Sequence, residues 1–185
     1  MTEDLTQNKN LATTSETATS KTSTSGTVRL SVASQQAIDA WLQKFPAEQR
    51  QSAIIAALSI VQAENGGWLT TELIDLVADY VGVTKIHAYE IATFYSMYEL
   101  KPVGRHKICV CTNIACMLRG ADDIVKHLQD KLQIGFGEIT ADGKFSLKAV
   151  ECLAACGGAP MLQIGAKYYE DLTQARVDQI LVELE

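Results

Sequence analysis

The chain has 185 residues, of which 47% are hydrophobic, and a formal net charge of −6. An acidic chain without clustered Lys and Arg is not expected to bind nucleic acid. No apolar stretch approaches the roughly 18 residues that a membrane helix needs, and the start of the chain has the pattern of neither a signal peptide nor a transit peptide. We therefore expect a cytosolic protein, in which the five cysteines are metal ligands or buried thiols rather than disulfides.

Residues 1–30 are expected to form a disordered tail. Ten of the fourteen residues from Ala12 to Ser25 are Ser or Thr, and large apolar side chains are absent there. Such a segment buries too little apolar surface to offset the entropy that is lost on ordering. The folded part of the chain is therefore expected to begin near residue 31.

Residues 31–104 have the sequence pattern of a helical bundle. Pro46 marks the start of a helix, and Gly66–Gly67 mark its end. The residues of this helix that share one face at i, i+4 and i+7 are Ile54, Leu58 and Val61.

Two further helices are predicted in this bundle. The second begins at Thr70 or Thr71 and stops at Gly82, and Thr84 is the expected N-cap of the third. Apolar residues of the third helix repeat at i, i+3, i+4 and i+7 and are expected to face the core. These residues are Ile91, Phe94, Tyr95 and Tyr98.

Residues 105–185 mix strand and helix patterns, which predicts a small α/β domain. Strands are expected at 107–111, 145–151 and 161–164, with a hairpin turn at Asp142–Gly143. Two amphipathic helices complete the domain, the second capped by Thr173. Their inward residues are Ile124, Val125, Leu128 and Leu132 in the first, and Val177, Ile180, Leu181 and Leu184 in the second.

Four cysteines form two close pairs, and each pair follows a predicted strand. Four residues separate Cys111 from Cys116, and three separate Cys152 from Cys156. Both pairs are expected on loops at strand ends, where a scaffold presents functional groups. A [2Fe–2S] cluster needs four thiolates, two for each iron, and each loop can wrap one iron.

The residues after Cys156 are small enough for the backbone to approach such a cluster closely. Gly157 and Gly158 have no side chains, and their N–H groups are candidates to hydrogen-bond the cluster sulfurs. We expect both glycines to support the cluster without ligating iron.

Other interpretations of the cysteines stay open at this level. Free cysteines often lie buried as small hydrophobic residues, and four cysteines at short spacings also hold structural zinc. A redox disulfide is a third possibility, although the usual C-x-x-C spacing is missing. The fifth cysteine, Cys109, alternates with Val110 on a strand and is expected to be a core residue rather than a ligand.

No second chemical site stands out in the sequence. The three histidines, His87, His106 and His127, have no companions at ligand spacing and are expected at the solvated surface. The chain lacks a phosphate loop and a complete dinucleotide fingerprint, so a hydride-transfer site on this chain is not expected.

Two segments are similar to the cluster loops of the thioredoxin-like [2Fe–2S] ferredoxins. These are Cys111–Cys116, CTNIAC, and Glu151–Pro160, ECLAACGGAP. More narrowly, they resemble the family of E subunits, or 24 kDa subunits, of bacterial NADH–quinone oxidoreductase, respiratory complex I. Further segments are similar in the same order along the chain: Gly66–Leu69, Ile91–Tyr95 and Lys167–Thr173.

This resemblance implies an α+β protein, in which an N-terminal helical bundle precedes a thioredoxin-like domain that carries one [2Fe–2S] cluster. The family's ligands carry over to Cys111, Cys116, Cys152 and Cys156. It also implies a partner protein that binds NADH and FMN, further iron–sulfur subunits, and a place on the cytoplasmic face of the cell membrane through the complex.

The same resemblance leaves the host enzyme open. Similar subunits serve soluble NAD-dependent formate dehydrogenases and NAD(P)-reducing hydrogenases. A zinc-stapled interaction module is the alternative from a different class. For a flavin-bearing partner, the candidate contact surface is an apolar rim at Met117, Leu153 and Ala159.

The ligand assignment makes a direct prediction. Replacing any one of the four ligand candidates, for example Cys111→Ser, should bleach the protein, because a hydroxyl is a poorer and harder ligand for iron. Cys109→Ser is the matched control on the same strand and should keep the visible spectrum. Bleaching by Cys109→Ser together with retained colour in Cys111→Ser would contradict the assignment.

Overall fold

A computed structural model of the chain describes residues 28–184, so most of the expected tail lies outside the described residues. Four helices come first: α1 (Val32–Leu42), α2 (Ile54–Glu64), α3 (Thr71–Val81) and α4 (Lys85–Phe94). The second part contains β1 (His106–Cys111), α5 (Ile114–Leu118), α6 (Ala121–Leu132), β2 (Phe145–Val150), β3 (Leu162–Ile164), β4 (Lys167–Tyr169) and α7 (Gln174–Glu183). Short 3₁₀ segments lie at Ala47–Ala53 and Cys156–Gly158.

Side-chain caps set where the predicted helices begin. The Thr70 hydroxyl accepts the N–H of Leu73 and starts α3, and the Thr84 hydroxyl starts α4 in the same way. Gly82, in the left-handed conformation, ends α3 as predicted. Thr173 caps α7, which confirms that expectation.

The first part of the chain has its own hydrophobic core. Side chains from α1, α2 and α3 meet there, and Ile38, Leu58 and Val77 are completely buried. The segment after Pro46 first forms a 3₁₀ turn and becomes α-helical only at Ile54. None of the helices in the described part of the chain is long and apolar enough to cross a membrane.

The second part is a four-stranded sheet in the order β2-β1-β3-β4. β1 and β2 are parallel, whereas β3 runs antiparallel to both β1 and β4. The crossover from β1 to β2 contains α6, which packs with α7 on the sheet face that carries Ile108 and Val110. These features agree with the expected helical bundle followed by a thioredoxin-like domain. The buried residues of the first core end at Tyr98, and those of the second begin at Ile108.

The prediction for the end of the third helix was wrong. α4 ends at Phe94, and Tyr95 has an extended backbone, so the helical repeat does not continue to Tyr98. Phe94 is 80% exposed and Tyr95 40%, whereas Tyr98 is buried in the core and its hydroxyl donates to the carbonyl of Ile55. The aromatic residues therefore point in different directions after the helix stops.

The strand predictions need two corrections. At Asp142–Gly143 the turn is present, but the segment before it makes only one isolated bridge, between Ile139 and Ser146, and is no strand. β4 was missed because it is only three residues long and pairs through the turn at Gly165, whose φ is +59°.

The N-cap of α3 can be tested with neighbouring threonines. Thr70→Ala should lower the free energy of unfolding by about 1 kcal/mol, because the N–H of Leu73 loses its acceptor. Thr71→Ala is the control, since its exposed side chain makes no cap, and should change stability by less than about 0.5 kcal/mol. Denaturant titrations measure both; equal losses would contradict the capping role.

Candidate metal centre

Parallel pairing brings the two cysteine pairs to one edge of the sheet. Cys111 is the last residue of β1, and its register partner is Val150, the last residue of β2. The chain therefore leaves both strands side by side, toward Cys116 in one case and toward Cys152 in the other.

The first pair is the buried half of the site. Cys111 and Cys116 are only 3% and 1% exposed. The Cys111 thiol donates to the carbonyl of Glu151 at 3.1 Å, and its N–H donates to the carbonyl of Met161 at 3.2 Å. Cys116 lies on the short helix α5 and not on a loop, which corrects the expectation for that residue.

Asn113 joins the two cysteine segments. Its side-chain oxygen accepts the N–H of Ile114 at 2.6 Å, at the beginning of α5. Its amide nitrogen donates to the Glu151 carboxylate at 3.1 Å, in the segment that leads to Cys152. Asn113 therefore fixes the start of the helix that carries Cys116 against the start of the second loop.

The second pair is the exposed half of the site. Cys152 and Cys156 are both exposed. The N–H of Ala154 donates to the sulfur of Cys152 at 3.4 Å, and Ala154 has a positive φ of 58°. An N–H···S contact of this kind tunes the basicity of a thiolate ligand. Sequence reasoning missed it because nothing in the sequence indicates that an alanine adopts a positive φ.

The thiols influence one another across the site. Burial, and next the neighbouring Cys111 thiol, raise the pKa of Cys116 to about 11. The Cys152 thiol raises the pKa of Cys156, and Cys111 contributes to that increase. Without metal the Cys116 thiol is therefore neutral at pH 7, and metal binding must displace its proton.

The donor set consists of two pairs. Within residues 28–184, no three His, Cys, Asp or Glu side chains gather as they would around one ion. The pairs are Cys111 with Cys116, whose pKa the Cys111 thiol helps to raise, and Cys152 with Cys156, whose pKa the Cys152 thiol raises. Four soft thiolates in two pairs fit the two irons of a [2Fe–2S] cluster.

The two glycines after Cys156 differ in their surroundings. The N–H of Gly158 donates to the carbonyl of Ala155 at 3.1 Å, so it is not available to a cluster sulfur. A Cβ on Gly158 would lie 2.6 Å from the Cβ of Glu170, whereas a Cβ on Gly157 would have no protein atom within 4 Å. Gly158 therefore packs against the chain before α7, and Gly157 stays the candidate for close approach to a cluster.

The remaining cysteine and the histidines lie outside this donor set. Cys109 is half-buried on β1, and burial raises its pKa. His127 was expected at the solvated surface, and this expectation was wrong. Its side chain is 20% exposed and contacts Asp178 at 2.8 Å, between α6 and α7. This contact holds the pKa of Asp178 below its usual value.

A comparison with known families identifies the fold and its chemistry. The pattern of the thioredoxin-like [2Fe–2S] ferredoxin family matches residues 38–185. The chain belongs to this family. Membership implies an iron–sulfur cluster and electron transfer, and the paired thiols fit both.

Individual relatives agree with this assignment. The E subunit of the NADH-quinone oxidoreductase of Rickettsia bellii (strain RML369-C) is 48% identical over 143 residues, which are 77% of this chain and 86% of that protein. The mitochondrial NADH dehydrogenase [ubiquinone] flavoprotein 2 of Dictyostelium discoideum is 44% identical over 140 residues, 76% of this chain and 57% of that protein.

A solved structure shares the fold. The crystal structure of an NAD⁺-reducing [NiFe]-hydrogenase in the H₂-reduced state matches 71% of this chain with a TM-score of 0.62 and 20% identity. This chain spans only 22% of that hydrogenase chain, about a fifth of its length.

Substitutions at Gly157 and Gly158 distinguish a glycine that is needed for packing from one that lies against the cluster. Gly158→Ala should lower the free energy of unfolding by about 1–3 kcal/mol, because the new methyl group overlaps Glu170. Adding Glu170→Gly, which also removes the Cβ that lies 2.6 Å away, should restore part of this loss. Denaturant titration measures both changes.

Gly157→Ala is the matched variant in open space. It should leave the free energy of unfolding within about 0.5 kcal/mol of the original value, so a change in its visible spectrum reports contact with the cluster. An unchanged spectrum would remove Gly157 from the cluster environment.

Proposed function

We propose that this chain is the electron-transfer subunit of an NADH–quinone oxidoreductase and holds one [2Fe–2S] cluster on Cys111, Cys116, Cys152 and Cys156. The observation that carries the proposal is the register of β1 and β2, which starts both cysteine segments at one sheet edge. The 48% identity to the R. bellii protein supports the host enzyme.

The residues of the chain hold the cluster and limit its contact with water. When bound, the cluster accepts or donates one electron at a time. Ala121, Ala159 and Met161 pack beside the buried cysteines, and Leu153 and Ala155 pack against them from the second loop. This apolar surround covers the Cys111 side, whereas the Cys152 side stays open.

An apolar surface next to Cys116 is the candidate contact for a flavin-bearing partner. On α5, Ile114 is 66% exposed, Met117 46% and Leu118 77%. Of the rim predicted from sequence, Met117 is exposed and Leu153 is half-buried, but Ala159 is completely buried and is no contact residue. The surface is therefore centred on α5, the helix that carries a ligand candidate.

The partner of this surface is expected to bind NADH and FMN and to exchange electrons with the cluster. A short electron-transfer distance requires the flavin to lie near an exposed part of the cluster site, and α5 borders that site. Through such a complex, with further iron–sulfur subunits, we expect the chain at the cytoplasmic face of the membrane.

A related host is an NAD⁺-reducing hydrogenase, favoured by the shared fold with that enzyme's solved structure. The identity of 20% in that comparison is much lower than the 48% to the R. bellii protein. The quinone oxidoreductase is therefore the better supported host.

Reconstitution tests the proposed division of labour. The purified chain alone should show the visible absorption of a [2Fe–2S] cluster, bleach with dithionite and stay unchanged with NADH. Addition of the flavin-bearing partner should allow NADH to bleach the cluster. A colourless chain that contains zinc, or rapid NADH bleaching of the chain alone, would refute the proposal.

Substitutions on α5 locate the contact. Met117→Glu and Leu118→Glu should slow cluster reduction in the reconstituted pair, because a charge would be buried in an apolar interface. Val182→Glu, at a 66% exposed apolar position on α7, is the matched control and should have little effect. Equal effects at all three positions would argue against α5 as the contact.

A further inference from the structure

The helical module, residues 28–99, and the sheet domain, residues 105–184, have separate hydrophobic cores. Buried apolar side chains of the module cluster between Ile38 and Tyr98, and those of the sheet domain cluster between Ile108 and Leu181. A cleft of about 1030 Å³ has walls from both parts. Parts of a chain that lack a large shared apolar interface are expected to move relative to each other unless polar contacts hold them.

Polar contacts across this cleft converge on one carboxylate. Glu99 Oε1 lies 3.0 Å from Lys107 Nζ of β1 and 2.5 Å from Lys148 Nζ of β2. Lys148 Nζ also donates to the carbonyl of Ser96 at 2.7 Å. Among the side-chain hydrogen bonds and ion pairs of the described residues, all that join module and sheet domain end on these two lysines.

The backbone of Glu99 is attached to the helical module. Its N–H donates to the Gln62 side chain of α2 at 2.7 Å, and its carbonyl accepts the N–H of Leu69 at 2.7 Å. Gln62 also donates to the carbonyl of Met97 at 3.1 Å. Glu99 therefore belongs to the module by its main chain and to the sheet domain by its side chain.

The ion cluster is also well protected. The Glu99 side chain is only 18% exposed, and those of Lys107 and Lys148 are 25% and 28% exposed. Solvent and salt screen such a partly buried cluster less than they screen a surface pair. A protected carboxylate between two ammonium groups is therefore well placed to join the helical module to the sheet domain.

The cleft that Glu99 spans reaches the cluster site. Its walls include Met97 of the helical module together with Cys152 and Leu153 of the second cysteine segment. Cys109, on the same sheet face as Cys111, lies in the same cleft. The position of the helical module therefore sets how widely water enters beside Cys152.

We propose that Glu99 is a positioning residue, which holds the helical module against the sheet domain and so keeps the cleft beside Cys152 narrow. The part that concerns the cluster rests on the proposed function, whereas the mechanical connection does not. Loss of the ion cluster should let the two parts reorient independently and admit water to the exposed side of the cluster.

The test uses the full chain with a charge-neutral double variant, Glu99→Ala with Lys148→Ala. This variant removes the side-chain contacts of Glu99 with both lysines and that of Lys148 with Ser96, and leaves the net charge unchanged. Residual dipolar couplings of backbone N–H groups report relative orientation: one alignment tensor should fit both parts of the original chain, and two different tensors should be needed for the double variant. Glu183→Gln, which removes an exposed carboxylate paired with Arg176 within α7, should keep a single tensor.

The reduction potential gives the second readout. The reduced cluster carries the greater negative charge, so better access of water should shift the potential of the double variant upward. Because the two removed charges are opposite, their direct effects on the potential partly cancel. Glu99→Ala alone should shift it further upward, because it removes a negative charge and keeps the positive charge of Lys148.

The outcomes are distinct. A single tensor for the double variant would overturn the proposal. Two tensors with an unchanged potential would overturn the role toward the cluster. A colourless chain would refute the proposed function, yet the dipolar couplings would still decide whether Glu99 holds the two parts together.

Discussion

Parallel pairing of β1 with β2 brings the carboxyl ends of two strands, at Cys111 and Val150, to the same edge of the sheet. Antiparallel pairing would send the segments after these two residues to opposite edges. The parallel arrangement needs a crossover, and α6 provides it while its apolar stripe buries Ile124 and Leu128. The fold and the candidate metal centre therefore depend on the same pair of strands.

This arrangement also explains why the two thiol pairs differ. Cys111 ends a central strand and Cys116 lies on α5, so both are surrounded by packed side chains such as Met161. Cys152 and Cys156 follow β2, an edge strand, and both are exposed. A cluster held by such ligands has a protected half and an accessible half, which suits exchange of electrons with a docked partner.

The sequence was informative wherever a local pattern determines the structure. Caps at Thr70, Thr84 and Thr173 and the stop at Gly82 depend on neighbours within a few residues, and all were predicted. The end of α4 was not predicted, since Tyr98 continues the apolar repeat but packs in the core outside the helix, where its hydroxyl contacts Ile55, 43 residues away. β4 was missed because three residues carry too little periodicity to identify a strand.

For the site, spacing predicted which cysteines form the two pairs but not the conformation of the surrounding backbone. The positive φ of Ala154 and the hydrogen bond of Asn113 to Glu151 arise only after the two segments meet. The contacts of Glu99 also arise only in the folded chain, because its partners Lys107 and Lys148 are 8 and 49 residues away and follow no motif. Long-range polar contacts of this kind decide the relative placement of parts that have separate cores. Under the proposed function a partner meets the exposed side of the metal centre. A change in the relative placement of the two parts would then alter that contact, as a change in the ligands would.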